Sequence, residues 1–264
     1  LQVISMQPTL NIAFRAARKA GEYINRFFDR QDQIEISEKS PGDYVTSVDT
    51  NCEAIIIDSL KQSFPDSGFI GEESGNNDID KNMVWIIDPL DGTNNFIHRF
   101  PYFCVSIGCQ INGRLEHGLI FNPLTQDVYF ASKGHGAQKN NQKIRATQPN
   151  KKLKGSLILH QANFANIQNP NYIKTLIELK KQVSGIRYTG STALDLAHLA
   201  SGQADLFFTY NPKPWDYAAG VVIAKEAGAI VCDLKGGTDF GQENGILVGS
   251  ANIISAATKI LANT

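Results

Sequence analysis

Met83-Val84-Trp85-Ile86-Ile87-Asp88-Pro89-Leu90-Asp91-Gly92-Thr93-Asn94-Asn95-Phe96 is the stretch around which the chain is organised. Met83 to Ile87 is an apolar run of strand length bounded by a turn signal, which predicts a buried strand. Pro89 removes a ladder donor and Gly92 permits a left-handed turn, so the strand is expected to stop at Asp88. Thr93, Asn94 and Asn95 are good helix N-caps, so a short helix or a second turn follows. Two carboxylates thus stand at a strand end beside backbone N–H groups able to meet an anion. Carboxylates attract a hard cation, and the N–H groups and the Thr93 hydroxyl attract phosphate. A cation bridging the two would bind a phosphate ester.

A lone Asp-Gly-Thr after a strand is ordinarily just a turn, and the chemical reading needs further carboxylates to join it. The spacing excludes the Asp-x-Asp nucleophile of the haloacid dehalogenase type, because Pro89 and Leu90 separate the two acids. The chain has 264 residues, 42% hydrophobic and 19% charged, enough for a well-buried core. A formal net charge of -1 and the lack of a basic domain argue against nucleic acid as a direct ligand. Lys151, Lys152 and Lys154 read as a solvated loop. Cys52, Cys104, Cys109 and Cys232 form no Cys-x-x-Cys pair or zinc spacing, so a reducing, cytoplasmic setting is expected. No apolar run is long enough to cross a bilayer. Met6 looks like a natural start, with residues 1–5 an upstream extension or an expression scar.

Leu10, Ala13, Phe14, Ala17, Ala20, Ile24, Phe27 and Phe28 recur on one face, which predicts an amphipathic helix over 10–28. Residues 31–43 read as polar, with Ser40-Pro41-Gly42-Asp43 as a loop. Ser47 or Asp49 caps a second helix carrying Ile55, Ile56, Leu60 and Phe64. Phe69-Ile70-Gly71 is a short apolar piece leading into Glu72-Glu73, and residues 76–82 read as polar and mobile. Strands follow at 102–111, 115–121 and 127–131, with Asn112-Gly113 a strong hairpin signal. The second half alternates strands (157–160, 184–188, 204–210, 230–233, 246–248) with helices (172–182, 193–200, 215–228, 252–262). Ala218, Ala219 and Gly220 allow close helix packing. Pro214 suits a first helical turn, and Asp216 falls where the helix dipole favours a carboxylate.

Gly71-Glu72-Glu73-Ser74, then Trp85-Ile86-Ile87-Asp88-Pro89-Leu90-Asp91-Gly92-Thr93, then Trp215-Asp216-x-Ala218-Ala219-Gly220 with Glu226-Ala227-Gly228-Ala229, resembles the inositol monophosphatase family. The resemblance runs from about Met6 to the end. The opening, Leu10-Asn11-Ile12-Ala13 with Ala16-Ala17-Arg18-Lys19-Ala20-Gly21, is most similar to the bacterial extragenic-suppressor branch. The fold it implies is mixed α/β, a layered α-β-α-β-α sandwich. It would be one domain over 6–264, with an N-terminal half (about 6–145) and a C-terminal half (about 146–264).

The resemblance also implies roles. Glu72, Asp88 and the Leu90 carbonyl would hold one magnesium; Asp88, Asp91 and Asp216 a second; a third, looser ion would lean on Glu72. Thr93 paired with Asp49 would orient and activate the attacking water. The Gly92 and Thr93 N–H groups would hold phosphate, and Gly190, Ser191 and Thr192 would line the alcohol side. An all-oxygen donor set suits magnesium rather than zinc. Metal-activated water would attack in line, with two cations sharing Asp88.

The implied reaction is hydrolysis of myo-inositol 1-phosphate and related polyol monophosphates, lithium-sensitive, in a cytoplasmic homodimer. Thr209 stands where inositol-acting members usually carry a Glu that meets ring hydroxyls. This keeps fructose 1,6-bisphosphate, histidinol phosphate and 3′-phosphoadenosine 5′-phosphate in view as alternative substrates. Lys39 receives no firm role. A different class of function, a protein partner in transcription antitermination complexes, is the competing expectation from the extragenic-suppressor branch.

Overall fold

The computed structural model describes residues 6–146, 150–162, 168 and 170–262; residues 1–5, read above as an extension, lie outside them. Helix α1 (Pro8–Phe28) carries its proline in the first turn and buries Leu10, Ala13, Ala17, Ala20 and Ile24, the stripe expected from periodicity. Helix α2 (Ser47–Lys61) starts at a capping box. The Thr46 hydroxyl accepts from the Val48 N–H (3.1 Å), and Asp49 accepts from the Thr46 N–H (2.9 Å).

Between these helices the polar stretch forms an antiparallel hairpin, β1 (Ile36–Ser40) and β2 (Asp43–Thr46), and the expected loop Ser40-Pro41-Gly42-Asp43 is its turn, with Gly42 at φ 79°. Every residue of β1 is exposed, so it carries no apolar face from which a strand period could be read.

An eight-stranded sheet follows: β3 (Gly68–Gly71), β4 (Gly75–Asn77), β5 (Met83–Asp91), β6 (Cys104–Ile111), β7 (Arg114–Asn122), β8 (Asp127–Ser132), β9 (Ala137–Lys139) and β10 (Gln142–Lys143), in the order β10-β9-β8-β7-β6-β5-β3-β4. The expected strand at 102–111 begins two residues later. Asn112 and Gly113 are both left-handed (φ 50° and 75°), as the hairpin signal required. Two expectations are corrected here. Asn76 and Asn77, the start of the segment expected to be mobile, belong with Gly75 to the edge strand β4, which pairs on β3. Strand β5 runs past Asp88 to Asp91, with a register irregularity between those two residues that accommodates Pro89. Both metal-ligand candidates of the central stretch are therefore held by β6 pairing, on either side of a bulge.

Helix α3 (Thr93–Ile97) is a single short turn entered through Gly92 at φ 100°. The second sheet has five strands, β11 (Leu157–Gln161), β12 (Gly185–Tyr188), β13 (Leu206–Thr209), β14 (Ile230–Cys232) and β15 (Ile246–Gly249), in the order β12-β11-β13-β15-β14. Its helices are α4 (Pro170–Lys180), α5 (Thr192–Ala200), α6 (Pro214–Glu226) and α7 (Ala251–Ala262).

Alternation along the strands sorts these elements into layers. Val105, Ile107, Leu119, Phe121 and Phe130 pack with α1 and α2 on one face of the large sheet. Cys104, Ile120, Tyr129 and Ala131 face the other way, toward α5 and α6. That core is closed from beyond by Leu159, Phe207 and Val248 of the small sheet. Ile158, Leu206, Phe208 and Leu247 point to the last face, under Tyr172 and Leu179 of α4 and Ile253 and Ala257 of α7. The result is the α-β-α-β-α sandwich. Helix α6 is its middle: seven consecutive residues, Ala218 to Ala224, are buried, because sheets lie on both sides. A Cβ on Gly118 of β7 would land on the Ala219 backbone, so this contact needs a glycine opposite a small residue. Among the described residues no helix is long and apolar enough to cross a membrane.

Candidate active site

Four elements bring carboxylates close enough to feel one another's charge, with Glu72 and Asp216 lining a cleft and Asp49, Asp88 and Asp91 buried behind it. Glu72 follows β3; Asp88 and Asp91 flank the β5 bulge; Asp49 lies in the first turn of α2; Asp216 lies in the first turn of α6. The cleft measures about 520 Å³, and its walls include Lys39, Asp43, Glu72, Gln161, Tyr188, Thr192, Thr209, Tyr210, Lys213 and Asp216.

Each acid is positioned by a nearby donor. Asp88 accepts from the Leu90 N–H (3.0 Å), a bond made across the bulge. Asp91 accepts from the Ser191 hydroxyl (2.6 Å) and from the N–H groups of Ala193 (2.7 Å) and Thr192 (3.2 Å), at the start of α5. An acid of the first half thus caps a helix of the second. Ser191 is fully buried and its hydroxyl is directed at Asp91; Thr192 lines the cleft; Gly190, at φ 85°, packs against the Asn95 amide. Asp216 accepts from the Lys213 N–H (2.7 Å), the cap expected of it. The Thr93 hydroxyl lies 2.7 Å from Asp49 Oδ1 and 3.0 Å from the Leu90 carbonyl, so the expected Thr93–Asp49 pair is present. The N–H groups of Gly92 and Thr93 belong to the left-handed entry and first residue of α3.

The electrostatics favour a cation. Burial, and then the charges of Glu72, Asp91 and Asp216, push the Asp88 carboxyl well above the usual range. Burial likewise raises Asp91, against the pull of its helix donors. Asp216 is raised to about 7 by burial with help from Asp91, and Asp49 is raised by burial. Glu72 is raised to about 8 by burial; the Lys39 charge opposes this, and Glu73, Asp216 and Asp49 reinforce it. Like charges this close cannot all ionise without a counter-charge.

Lys39 of β1 supplies part of it, with its ammonium 2.7 Å from Glu73 and 3.2 Å from Glu72. Burial works against that ammonium, but the two glutamates hold its pKa above the ordinary value. The oxygen-only donor set fits magnesium. Among the described residues no three acidic, His or Cys side chains already converge as a metal cage. The Asp88, Asp91 and Glu72 oxygens are turned to Leu90, α5 and Lys39 instead.

Three residues of the site were not singled out in the sequence. Glu53 is buried, and its carboxylate accepts from the Glu73 (3.0 Å) and Ser74 (2.7 Å) N–H groups, holding the loop that carries Glu72. Its signal was helical phase, since it lies in register with Cys52, Ile56 and Leu60 on the buried face of α2. Asp195 is buried on α5 between Leu194 and Leu196. It accepts from Tyr102 Oη (2.7 Å) and Thr189 Oγ1 (2.7 Å) at one oxygen, and from Gln161 Nε2 (2.7 Å) at the other. The third residue, Gln161, ends β11 inside the cleft.

The model of the Inositol monophosphatase family matches residues 5–263. Nus factor SuhB of Vibrio cholerae is 43% identical over 253 residues, covering 95% of this chain and 94% of that protein. Nus factor SuhB of Escherichia coli K12 is 41% identical over 260 residues, covering 98% and 96%. Among solved structures, extragenic suppressor protein suhB from Bartonella henselae superimposes with a TM-score of 0.90 at 34% identity, covering 97% of this chain and 98% of that one. The Thermotoga maritima IMPase TM1415 gives 0.88 at 29% identity, covering 97% and 98%.

Proposed function

Because the chain belongs to the inositol monophosphatase family, we propose that it is a magnesium-dependent phosphomonoesterase acting on small polyol phosphates, myo-inositol 1-phosphate first. The observation that carries this reading is the electrostatic proximity of Glu72, Asp88, Asp91 and Asp216, from both halves, whose burial and mutual repulsion raise their pKa values, with Glu72 and Asp216 lining the cleft.

Glu72, Asp88, the Leu90 carbonyl, Asp91 and Asp216 would hold two to three magnesium ions, which when bound neutralise charge on the phosphoryl group. The chain's own groups do the rest. Asp49, held by Thr46 and Thr93, accepts the Thr93 hydroxyl proton, which leaves the Thr93 oxygen lone pairs to orient an attacking water. The N–H groups of Gly92 and Thr93 meet the phosphate oxygens. Thr192, Gly190 and the end of β13 bound the alcohol side, with Ser191 acting through Asp91. Phosphoryl transfer needs positioning and charge stabilisation rather than a covalent nucleophile, and this site offers those.

The test is phosphate release from myo-inositol 1-phosphate, 2-glycerophosphate, fructose 1,6-bisphosphate, histidinol phosphate and 3′-phosphoadenosine 5′-phosphate, with magnesium or chelator. Magnesium-dependent release led by the inositol ester, and absent in Asp91→Asn, is the expected result. Release led by another ester replaces the substrate, and no release from any ester sinks the enzyme reading. Lithium inhibition, a cytoplasmic setting and a homodimer belong to the same proposal.

The relatives' name, Nus factor SuhB, favours one second reading: a protein partner in a transcription complex. A cellular effect that survives Asp91→Asn supports that partner role; an effect that is lost supports catalysis.

A further inference from the structure

Gln161 has an amide whose orientation is fixed from behind. Its Nε2 lies 2.7 Å from Asp195 Oδ2 and 2.9 Å from Thr189 Oγ1. Thr189 Oγ1 in turn lies 2.7 Å from Asp195 Oδ1, so its proton goes to the carboxylate and its lone pair is left for the amide. Flipping the Gln161 amide would set its oxygen against both acceptors, so the assignment is forced by the network. Asp195 is itself locked, with Tyr102 Oη at 2.7 Å and no exposed surface.

With Nε2 directed inward, Oε1 is the end of the amide turned away from Asp195. Among the described residues no donor meets it. Gln161 nevertheless lines the cleft, at 7% exposure. It is also the register partner of Thr209 on the adjacent parallel strand, so the two side chains share a face. Thr209 offers that wall a short hydroxyl, 3.5 Å from its neighbour's carbonyl. The Asp216 carboxylate lines the same cleft.

We infer that Gln161 is a specificity residue: its pre-oriented Oε1 accepts a hydrogen bond from a substrate hydroxyl beside the phosphate ester. The site therefore favours polyol phosphates with a free neighbouring hydroxyl over esters of alcohols that lack one. Asp195 is the positioning residue for that amide, so no rotamer search is needed when substrate arrives. The inference rests on the phosphomonoesterase reading and names the alcohol-side recognition within it.

The experiment compares kcat/KM for myo-inositol 1-phosphate and for 4-nitrophenyl phosphate, both with magnesium, in the wild type, Gln161→Met and Asp195→Asn. Methionine keeps the length and removes the oxygen. The expected result is that the inositol-to-aryl ratio falls about tenfold in Gln161→Met, the scale of one hydrogen bond, mostly through KM. Asp195→Asn lowers the ratio in the same direction by freeing the amide. Equal losses on both esters, or an unchanged ratio, overturn the inference while leaving the phosphatase reading intact. A wild type inactive on both esters overturns that reading, and this one with it. Should Gln161→Met fail to fold, Gln161→Asn retracts the same oxygen by one methylene and must lower the ratio.

Discussion

Asp88 and Asp195 are both aspartates buried near the junction of the two sheets, yet their surroundings differ in kind. Three neutral donors from Tyr102, Thr189 and Gln161 converge on Asp195 and pull its pKa down against the burial that raises it to about 7. Asp88 has one backbone donor, and its nearest charges, Glu72, Asp91 and Asp216, add to the burial instead of opposing it. Glu53 sides with Asp195, since its carboxylate takes two backbone N–H groups. Asp91 lies between the two types, with α5 donors on one side and acids on the other. Burial alone therefore does not mark a cation site. A buried acid supplied with donors is a structural part, whereas a buried acid supplied with other acids waits for positive charge.

The sharpest way to break this contrast is to remove the charge at each place. Asp88→Asn should lower kcat/KM on the order of a thousandfold, as expected for lost stabilisation of developing charge. The same change should raise the melting temperature in chelator, because a buried acid in an acidic neighbourhood is removed. A gain of about 1 kcal/mol would shift a chain of this size by roughly 2–4 °C. It should also abolish the rise that magnesium gives the wild type. Phosphate release and calorimetry with and without chelator read all three, and a lower melting temperature in chelator would count against the contrast.

Asp195→Asn should do the reverse to stability. One amide oxygen cannot serve three donors, so a loss of about 2 kcal/mol is expected whether magnesium is present or not. Glu53→Gln should cost about 1 kcal/mol, since the amide keeps one of two bonds, and should weaken magnesium binding by loosening the Glu72 loop. Titration calorimetry with magnesium checks the second effect. If Glu53→Gln leaves the magnesium affinity unchanged, the loop does not depend on it.

The contrast also has a pH signature in the metal-free protein. Glu72, raised to about 8, and Asp216, raised to about 7, bind protons in the folded state that the unfolded chain, titrating near 4, has already released. Folded protein therefore holds more protons across that window, and its stability falls as pH rises from about 5 to 8, on the order of 5 kcal/mol. Magnesium should flatten the slope by favouring the ionised forms. Urea unfolding at several pH values in chelator would show this, and a slope of opposite sign would refute it.

The layering was legible in the sequence because it rests on period. The α1 stripe and the alternation in β6 to β8 announce which face is buried, and the unbroken small and apolar run of α6 announces burial on both sides. Hairpin β1–β2 was not legible, since a fully exposed strand has no period, and Pro89 hid the continuation of β5 because a bulge obeys no local rule. For the site, Asp88, Asp91, Asp216 and the Thr93–Asp49 pair were readable through spacing and resemblance. Lys39, Glu53, Asp195 and Gln161 depend on contacts between residues 20 to 100 positions apart, such as Lys39 with Glu73 or Tyr102 with Asp195, and no local pattern encodes those.

A smaller pH effect of opposite sign comes from a buried histidine. His160 is buried in an aromatic nest, stacked on Phe208 with centroids 5.5 Å apart, and its Nδ1 lies 2.8 Å from the Tyr172 hydroxyl. Burial pushes this imidazole down to about 4, below the roughly 6.5 of an unfolded histidine. Between those values the unfolded chain binds a proton that the folded chain does not, so this group makes stability rise with pH. The sign is opposite to that of the carboxylates, and the window lies at the acid end of theirs. From pH 7 to 5.5 the histidine should remove about 1 kcal/mol of stability. His160→Phe keeps the stacking and deletes the titration, at the cost of leaving the Tyr172 hydroxyl without this partner. Its stability should therefore fall below wild type near pH 7, and the difference should shrink toward pH 5. In chelator, the variant should show the carboxylate slope steeper than wild type does, because the opposing histidine is gone. A parallel pair of pH curves would mean that His160 is not neutral in the folded protein.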